Sequence, residues 1–319
     1  MSFWKVMALS ILIPELVTVA EPVNAQNTQE ATNRKVDSLF KIAASGSVKF
    51  KDMVQPAIDS AAALGAPAVP WLLGKLDTKS PRERVTLLQI LKKIGSPAVP
   101  GLLVSLKLEN GLAVERAASF LGEIGDSSAV DGLVSISGHY RWQVREQVFG
   151  SLGRMKSQRA DSAIIAAMSD SIGLVRKSAA VACGQLKIKQ SIPRLVHLLG
   201  DSFYGARMPA SLALLNFDTD LVVQTTVDSI DSGNRMLGNL ACWVLGKLKT
   251  EAAIRALISQ AQTADPERRA HAACALLEAD PQGQCLYRYF YPLVETDRLA
   301  LLKYQSAVQA AQDVKSATR

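Results

Sequence analysis

Gly122, Gly153 and Gly184 stand 31 residues apart, and Gly246 follows after two further steps of the same length. Each lies in a segment whose apolar residues recur at helical spacing, where a glycine costs about 1 kcal/mol relative to alanine. Two more columns keep the same register: Ala117, Val148, Ala179, Ala210 and Ala241 in one, Arg145, Arg176 and Arg207 in the other. A repeat of this length is a single supersecondary unit that buries its apolar face only by stacking on its neighbours. The expected fold is therefore all-α, an alpha-alpha superhelix of about eight helix pairs packed as a solenoid. In such a stack, small residues at a fixed site let one helix approach the next closely. Leu215 occupies the glycine column between Gly184 and Gly246, which predicts a wider spacing there.

A stack of short units escapes the usual division of 319 residues into two domains, so residues 66–319 read as one array. Hydrophobic content of 48% with only 6% aromatic suits a core of Ala, Leu, Val and Ile. The first helix of each pair opens on proline or a small residue, as in Pro97-Ala98-Val99-Pro100, and the second carries the columns. These second helices, the ladder helices, are expected near 81–94, 112–124, 140–155, 172–187, 203–215, 234–248, 266–278 and 298–312. Ser80-Pro81-Arg82-Glu83 and Asp265-Pro266-Glu267 are start signals, and Gly95 and Gly125 are stops.

The N-terminal end departs from the pattern. Residues 1–25 combine Lys5, an apolar run from Val6 to Ile13 and a small-residue site Val23-Asn24-Ala25, which together read as a secretory signal cut after Ala25, with Ala20 as an alternative site. The run is shorter than the roughly 20 apolar residues of a spanning helix, and no cysteine near the cut suggests a lipid anchor. The expected destination is a bacterial periplasm. Residues 26–34 are polar without periodicity and are expected to form a disordered lead. Residues 35–65 are expected to form a helical cap, with one helix marked by Val36, Leu39, Phe40 and Ala43 and a second broken or restarted at Pro56.

These units resemble HEAT repeats of the short bacterial kind, similar to those named after phycobilin lyases. Their second helix carries Asp, then Val-Arg, then paired small residues and Leu-Gly. Asp170 with Val175-Arg176 and Ala179-Ala180, and Asp201 with Arg207 and Ala210, carry the resemblance, which covers about residues 66–280. It implies a structural ladder of hydrogen bonds between neighbouring units through Asp170, Arg176, Asp201 and Arg207, and a concave face lined by the ladder helices. Val114 and Gly238 at the arginine position, and His139 at an aspartate position, leave that ladder incomplete.

The net charge of +7, which becomes +8 once Lys5, Glu15 and Glu21 are removed, favours an acidic partner. With an export signal that partner is expected to be a protein rather than nucleic acid, with peripheral contact to a membrane or other envelope component as a further reading. A basic rim recurs at the ends of ladder helices: Lys93, Arg154, Lys156, Lys187, Lys189, Lys247 and Lys249. The plain reading is that cations favour helix C-termini; the sharper one is an anion-binding edge. Tyr140, Arg141 and Trp142, with Phe203, Tyr204 and Arg207, group the residue types that dominate binding hot spots and form the candidate partner site. The alternative is that such first-turn aromatics merely cover the preceding loop. Tyr287, Tyr289, Phe290 and Tyr291 are expected to seal the last unit.

Signals for chemistry are poor. Cys274 and Cys285 are candidates for a disulfide in an exported chain, set against two buried thiols, while Cys183 and Cys242 read as core. Three histidines without zinc spacing and no CxxC motif point to no metal, and no phosphate-binding loop points to a cofactor. Gly125-Asp126-Ser127-Ser128 lacks the strand of a nucleophile elbow, so Ser127 reads as a helix cap, and His197 reads as a packed core residue. No catalytic residue is expected. The chain reads as an exported interaction scaffold or adaptor. The alternatives are a lyase or chaperone-like enzyme, which the resemblance to phycobilin lyases implies, and a protein that binds envelope glycan.

Overall fold

The computed structural model describes residues 22–279 except 232, 264 and 265. Every regular element among the described residues is helical. They form two compact units divided between Ala98 and Val99.

The first unit contains α1 (Pro22–Ala44), a 3-10 turn (Val48–Met53), α2 (Val54–Ala62), α3 (Val69–Leu73) and α4 (Pro81–Ile94). Residues 26–34, expected to be a disordered lead, lie instead within α1. Polar composition misleads here because the helix is supported locally. Arg34 pairs with Glu30 at 2.7 Å, Gln29 donates to Asn33, and Thr32 returns its hydroxyl to the Thr28 carbonyl. Gln29 also donates to the carbonyl of Pro67 at 2.9 Å, while Val36, Phe40 and Ala43 are buried as α1 packs on α2 and α4. Pro56 sits in the first turn of α2, where its missing N–H removes no helical bond, so it restarts the chain as expected. At the start of α4 the Ser80 hydroxyl accepts from the Glu83 N–H behind Pro81, and Gly95 ends the helix with φ +73°.

The second unit alternates short helices with ladder helices. In order these are α5 (Val99–Ser105), α6 (Gly111–Ile124), α7 (Val130–Ser135), α8 (Trp142–Met155), α9 (Asp161–Ala167), α10 (Gly173–Leu186), α11 (Ile192–Leu198), α12 (Tyr204–Leu214), α13 (Thr219–Ile230), α14 (Arg235–Leu248), α15 (Glu251–Gln260) and α16 (Pro266–Ala279). The result is an αα solenoid whose even-numbered helices carry the columns. Ala117, Val148, Ala179, Ala210, Ala241 and Ala272 are all fully buried, as are Leu121, Leu152, Cys183, Leu214 and Leu245 one turn later. Leu102, Leu133, Ile164, Leu195 and Leu257 supply the matching column from the short helices, with Thr226 buried in the same sequence step. Burying this continuous apolar seam is the main stabilising contribution, at about 25 cal/mol per Å² removed from water.

The glycine column works by contact. A Cβ built on Gly184 would lie 2.8 Å from Ala213 Cβ and 2.9 Å from its Cα; on Gly153 it would lie 3.0 Å from Ala182 Cα, and on Gly246 2.8 Å from Ala275 Cβ. Accordingly α6, α8, α10 and α12 stack closely in series, and α14 stacks closely on α16. At Leu215 the column is interrupted: α12 ends at Leu214 and meets α14 over far fewer residues, the local loosening that a leucine there predicts. The expected ladder helix at 298–312 and the aromatic cluster Tyr287, Tyr289, Phe290 and Tyr291 lie outside the described residues.

Candidate interaction face

The Asp–Arg ladder takes a definite form. Arg145 donates from Nε and Nη2 to the two oxygens of Asp170, at 2.7 and 2.8 Å, and from Nη1 to the carbonyl of His139 in its own unit. Arg176 repeats this with Asp201, at 2.7 and 2.6 Å, and with the carbonyl of Asp170. Each arginine thus ties its own preceding loop to the aspartate of the following unit. Arg207 reaches the carbonyl of Asp201 at 2.5 Å. Its column continues at Arg269, which bonds the Thr263 carbonyl, while Arg268 covers Gly238 and pairs with Asp231 at 2.6 Å. Arg268 and Arg269 were missed in the sequence because Gly238 interrupts the step, although Arg269 lies two steps beyond Arg207.

Burial opposes ionisation of Asp170 and Asp201, yet the arginine hydrogen bonds outweigh it, helped by the N–H groups of Ile172 and Phe203. Both carboxyls are held below the usual carboxylate range. Burial pushes the thiols of Cys183 and Cys242 up to about 12, which makes them core residues without nucleophilic character at neutral pH.

The six candidate partner-binding residues fall in two groups, at the starts of α8 and α12. Arg141 lies over Gly111 and Phe203 over Gly173, each filling the space left by a glycine at the start of the preceding ladder helix. Both contacts interlock neighbouring units, and Phe203 also keeps 36% of its surface exposed. Trp142 is half-buried. Tyr140 and Tyr204 project, at 78% and 73% exposure. Tyr140 stacks on His139 with ring centroids 4.5 Å apart, and Arg207 sits 6.0 Å from the Tyr204 ring. Tyr140, His139, Phe149, Ala163, Arg145 and Asp170 are among the residues lining a cleft of about 380 Å³.

The basic rim divides as well. Lys93 pairs with Asp59 in the first unit; in the second, Arg154 contacts Ser151 and Glu123, and Lys247 pairs with Glu278. Lys156, Lys187 and Lys249 are exposed and end α8, α10 and α14 with φ of +53°, +52° and +55°. This is the left-handed conformation that Gly125, at φ +77°, adopts after α6. A side chain costs more there than glycine does. Lys189 is exposed nearby in the 3-10 turn Lys189–Ser191, and Asp218 takes the rim position one step beyond Lys187.

Two smaller expectations are corrected. Asp126, not Ser127, caps its turn, accepting from the Ser128 N–H at 2.9 Å. His197 is exposed on α11, because its neighbours Leu195, Val196, Leu198 and Leu199 take the inward positions of the helical period. Cys274 is half-buried on α16, and Cys285 lies outside the described residues. Among the described residues no group of three metal-ligating side chains converges, and no single helix is long and apolar enough to cross a membrane.

The sequence profile of HEAT repeats matches residues 99–182 and again 130–215. This stretch is a HEAT-repeat array. No curated protein matches the chain in sequence. Among solved structures the chain is similar to the E. coli protein YibA, at 18% identity over 81% of this chain and 96% of that one, with a TM-score of 0.48. It is also similar to human deoxyhypusine hydroxylase in complex with glycerol, at 18% identity over 90% and 99% and a TM-score of 0.33. A third is the complex of CpcE and CpcF of phycocyanin lyase from Nostoc sp. PCC7120, at 20% identity over 75% and 94% and a TM-score of 0.40.

Proposed function

We propose that this chain is an exported scaffold that binds a protein partner across the ladder helices of its HEAT array. The observation that carries this reading is the pair of tyrosines, Tyr140 and Tyr204, standing exposed at the starts of ladder helices, with Phe203 beside Tyr204 still 36% exposed while Arg141 packs over Gly111. Tyrosine supplies a large contact area at low entropic cost, which suits an anchor. An acidic partner is supported by Lys156, Lys187 and Lys249, whose charges sit in a backbone conformation that glycine adopts more cheaply. Asp170 serves the ladder rather than proton transfer in the cleft beside Tyr140, since both its oxygens are held by Arg145 and its carboxyl lies below the usual carboxylate range. Export rests on the leader in residues 1–25; cleavage after Ala25 would remove only the first turn of α1 and leave Gln29, Val36 and Phe40 in place.

The test has two parts. Intact mass of the periplasmic protein is expected to start at Gln26, and recovery in the cytoplasm with Met1 retained overturns export. Capture of partners from envelope extracts by the immobilised chain is expected to yield a saturable protein partner that is lost with a Tyr140→Ala, Tyr204→Ala double variant. Undiminished capture by the folded variant moves the site elsewhere.

A further inference from the structure

The ladder helix α12 turns an apolar stripe outward. Tyr204, Met208 and Leu212 recur every four residues, and they are 73%, 40% and 53% exposed. Val181, 39% exposed, lies one 31-residue step before Leu212 on the adjoining α10. Trp243, half-buried on α14, lies one step after it. Eight residues of helix span about 12 Å and neighbouring helices sit about 8–10 Å apart, so the stripe with Val181 forms a patch some two helical turns long and two helices wide. In α6 and α8 the positions of Met208 and Leu212 are filled by Glu115, Glu146, Ser119 and Gly150, and Trp142, at the position of Tyr204, is half-buried. The patch is local to this part of the array.

We propose that this patch seats a short amphipathic helix of a partner protein, whose apolar residues lie on Val181, Met208 and Leu212 and whose flanks are acidic. The inference rests on the interaction-scaffold reading and adds the class of segment that is bound. Size supports it: an amphipathic helix presents apolar side chains at i, i+3 or i+4 and i+7, which two turns of exposed stripe match. Charge selects the flanks. Lys177 is exposed on α10 one step before Met208, opposite Glu146; Arg207 lies against the Tyr204 ring; Lys187 and Lys189 follow the end of α10. Asp218 and Asp220, after α12, stand one step further along the same edge as Lys187 and Lys189. A second copy of this chain fits less well, because each carries a net charge of +7 and would bring like charges together.

The experiment uses the full chain and two fluorescein-labelled helical peptides of about 18 residues, one with leucines on one face and glutamates on the other, the second with lysines replacing the glutamates. Anisotropy is expected to report saturable binding of the glutamate peptide and none of the lysine peptide. Leu212→Asp and Met208→Ala should each weaken it by about tenfold, whereas Lys187→Glu with Lys189→Glu should weaken it at low salt and lose that effect at high salt. All four positions are exposed or partly exposed, and circular dichroism checks that the variants fold. Absence of binding, equal binding of both peptides, or unchanged affinity of Leu212→Asp overturns the proposal. A dimer in sedimentation that Leu212→Asp dissociates gives the patch to a second copy and also overturns it. If envelope capture persists in Leu212→Asp but is lost in the tyrosine variant, the scaffold reading stands and this inference falls.

Discussion

Two glycines in consecutive ladder helices should respond in opposite directions to the same substitution. Replacing glycine by alanine inside a helix contributes about 0.8–1 kcal/mol through lost unfolded-state freedom. At Gly150 in α8 an added Cβ meets nothing nearer than Arg154 Nη1 at 3.8 Å, so Gly150→Ala should keep that gain. At Gly184 in α10 the Cβ would stand 2.8 Å from Ala213 Cβ and 2.9 Å from Ala213 Cα, which belongs to the backbone of α12 and cannot rotate away. Overpacking of this kind costs about 1–3 kcal/mol, which leaves Gly184→Ala destabilised by about 1 kcal/mol, and Gly184→Leu by more. Urea unfolding followed by circular dichroism should therefore move the midpoint up for Gly150→Ala and down for Gly184→Ala. A Gly184→Ala midpoint that rises alongside that of Gly150→Ala would refute the claim that the glycine column exists to let neighbouring helices touch.

Lys187→Gly should raise stability by about 0.5–1 kcal/mol, because glycine relieves the left-handed strain at φ +52° and only a weak interaction with the helix dipole is lost; a lower midpoint would show that the side chain makes a stabilising contact. Asp170 and Asp201 are held below the ordinary carboxylate range, so their contribution is complete above about pH 4 and disappears as the pH falls through the depressed values. Asp170→Asn should lower stability at pH 7 and flatten the acid limb of the stability profile, and an unchanged limb would remove Asp170 from the acid response. Thr226→Val should stabilise by about 1 kcal/mol, since the buried Thr226 hydroxyl has no hydrogen-bond partner among the described residues; thermal unfolding that drops would show the hydroxyl is satisfied.

Features that depend on the 31-residue step were legible in the sequence, because every unit states them again: the ladder helices, the buried alanine column, and the arginines that meet Asp170 and Asp201. Even the irregularity at Leu215 could be read, since a column shows its own exceptions. What failed was local. Residues 26–34 looked unstructured because polar side chains hide a helix held by i,i+4 pairs and by one bond to the distant Pro67 carbonyl. The seats of Arg141 and Phe203 over Gly111 and Gly173 were not read, because residue type says nothing of whether a glycine in the preceding unit has left room. Met208 and Leu212 were overlooked for the converse reason: an apolar residue on a helix reads as core unless its phase against the buried column is followed turn by turn.

Because each unit touches only its neighbours, stiffness in the second unit is that of springs joined end to end, and the softest spring sets how far the whole yields. The link between α12 and α14 is that spring, since the two helices meet over far fewer residues than the other ladder helices do. A load spread along the array would bend it there first, leaving α6 through α12 to swing as one stiff arm. The exposed stripe of α12 lies on the last helix of that arm, so bending at the link would change the distance between Leu212 and Trp243 while leaving Val181 and Leu212 in place.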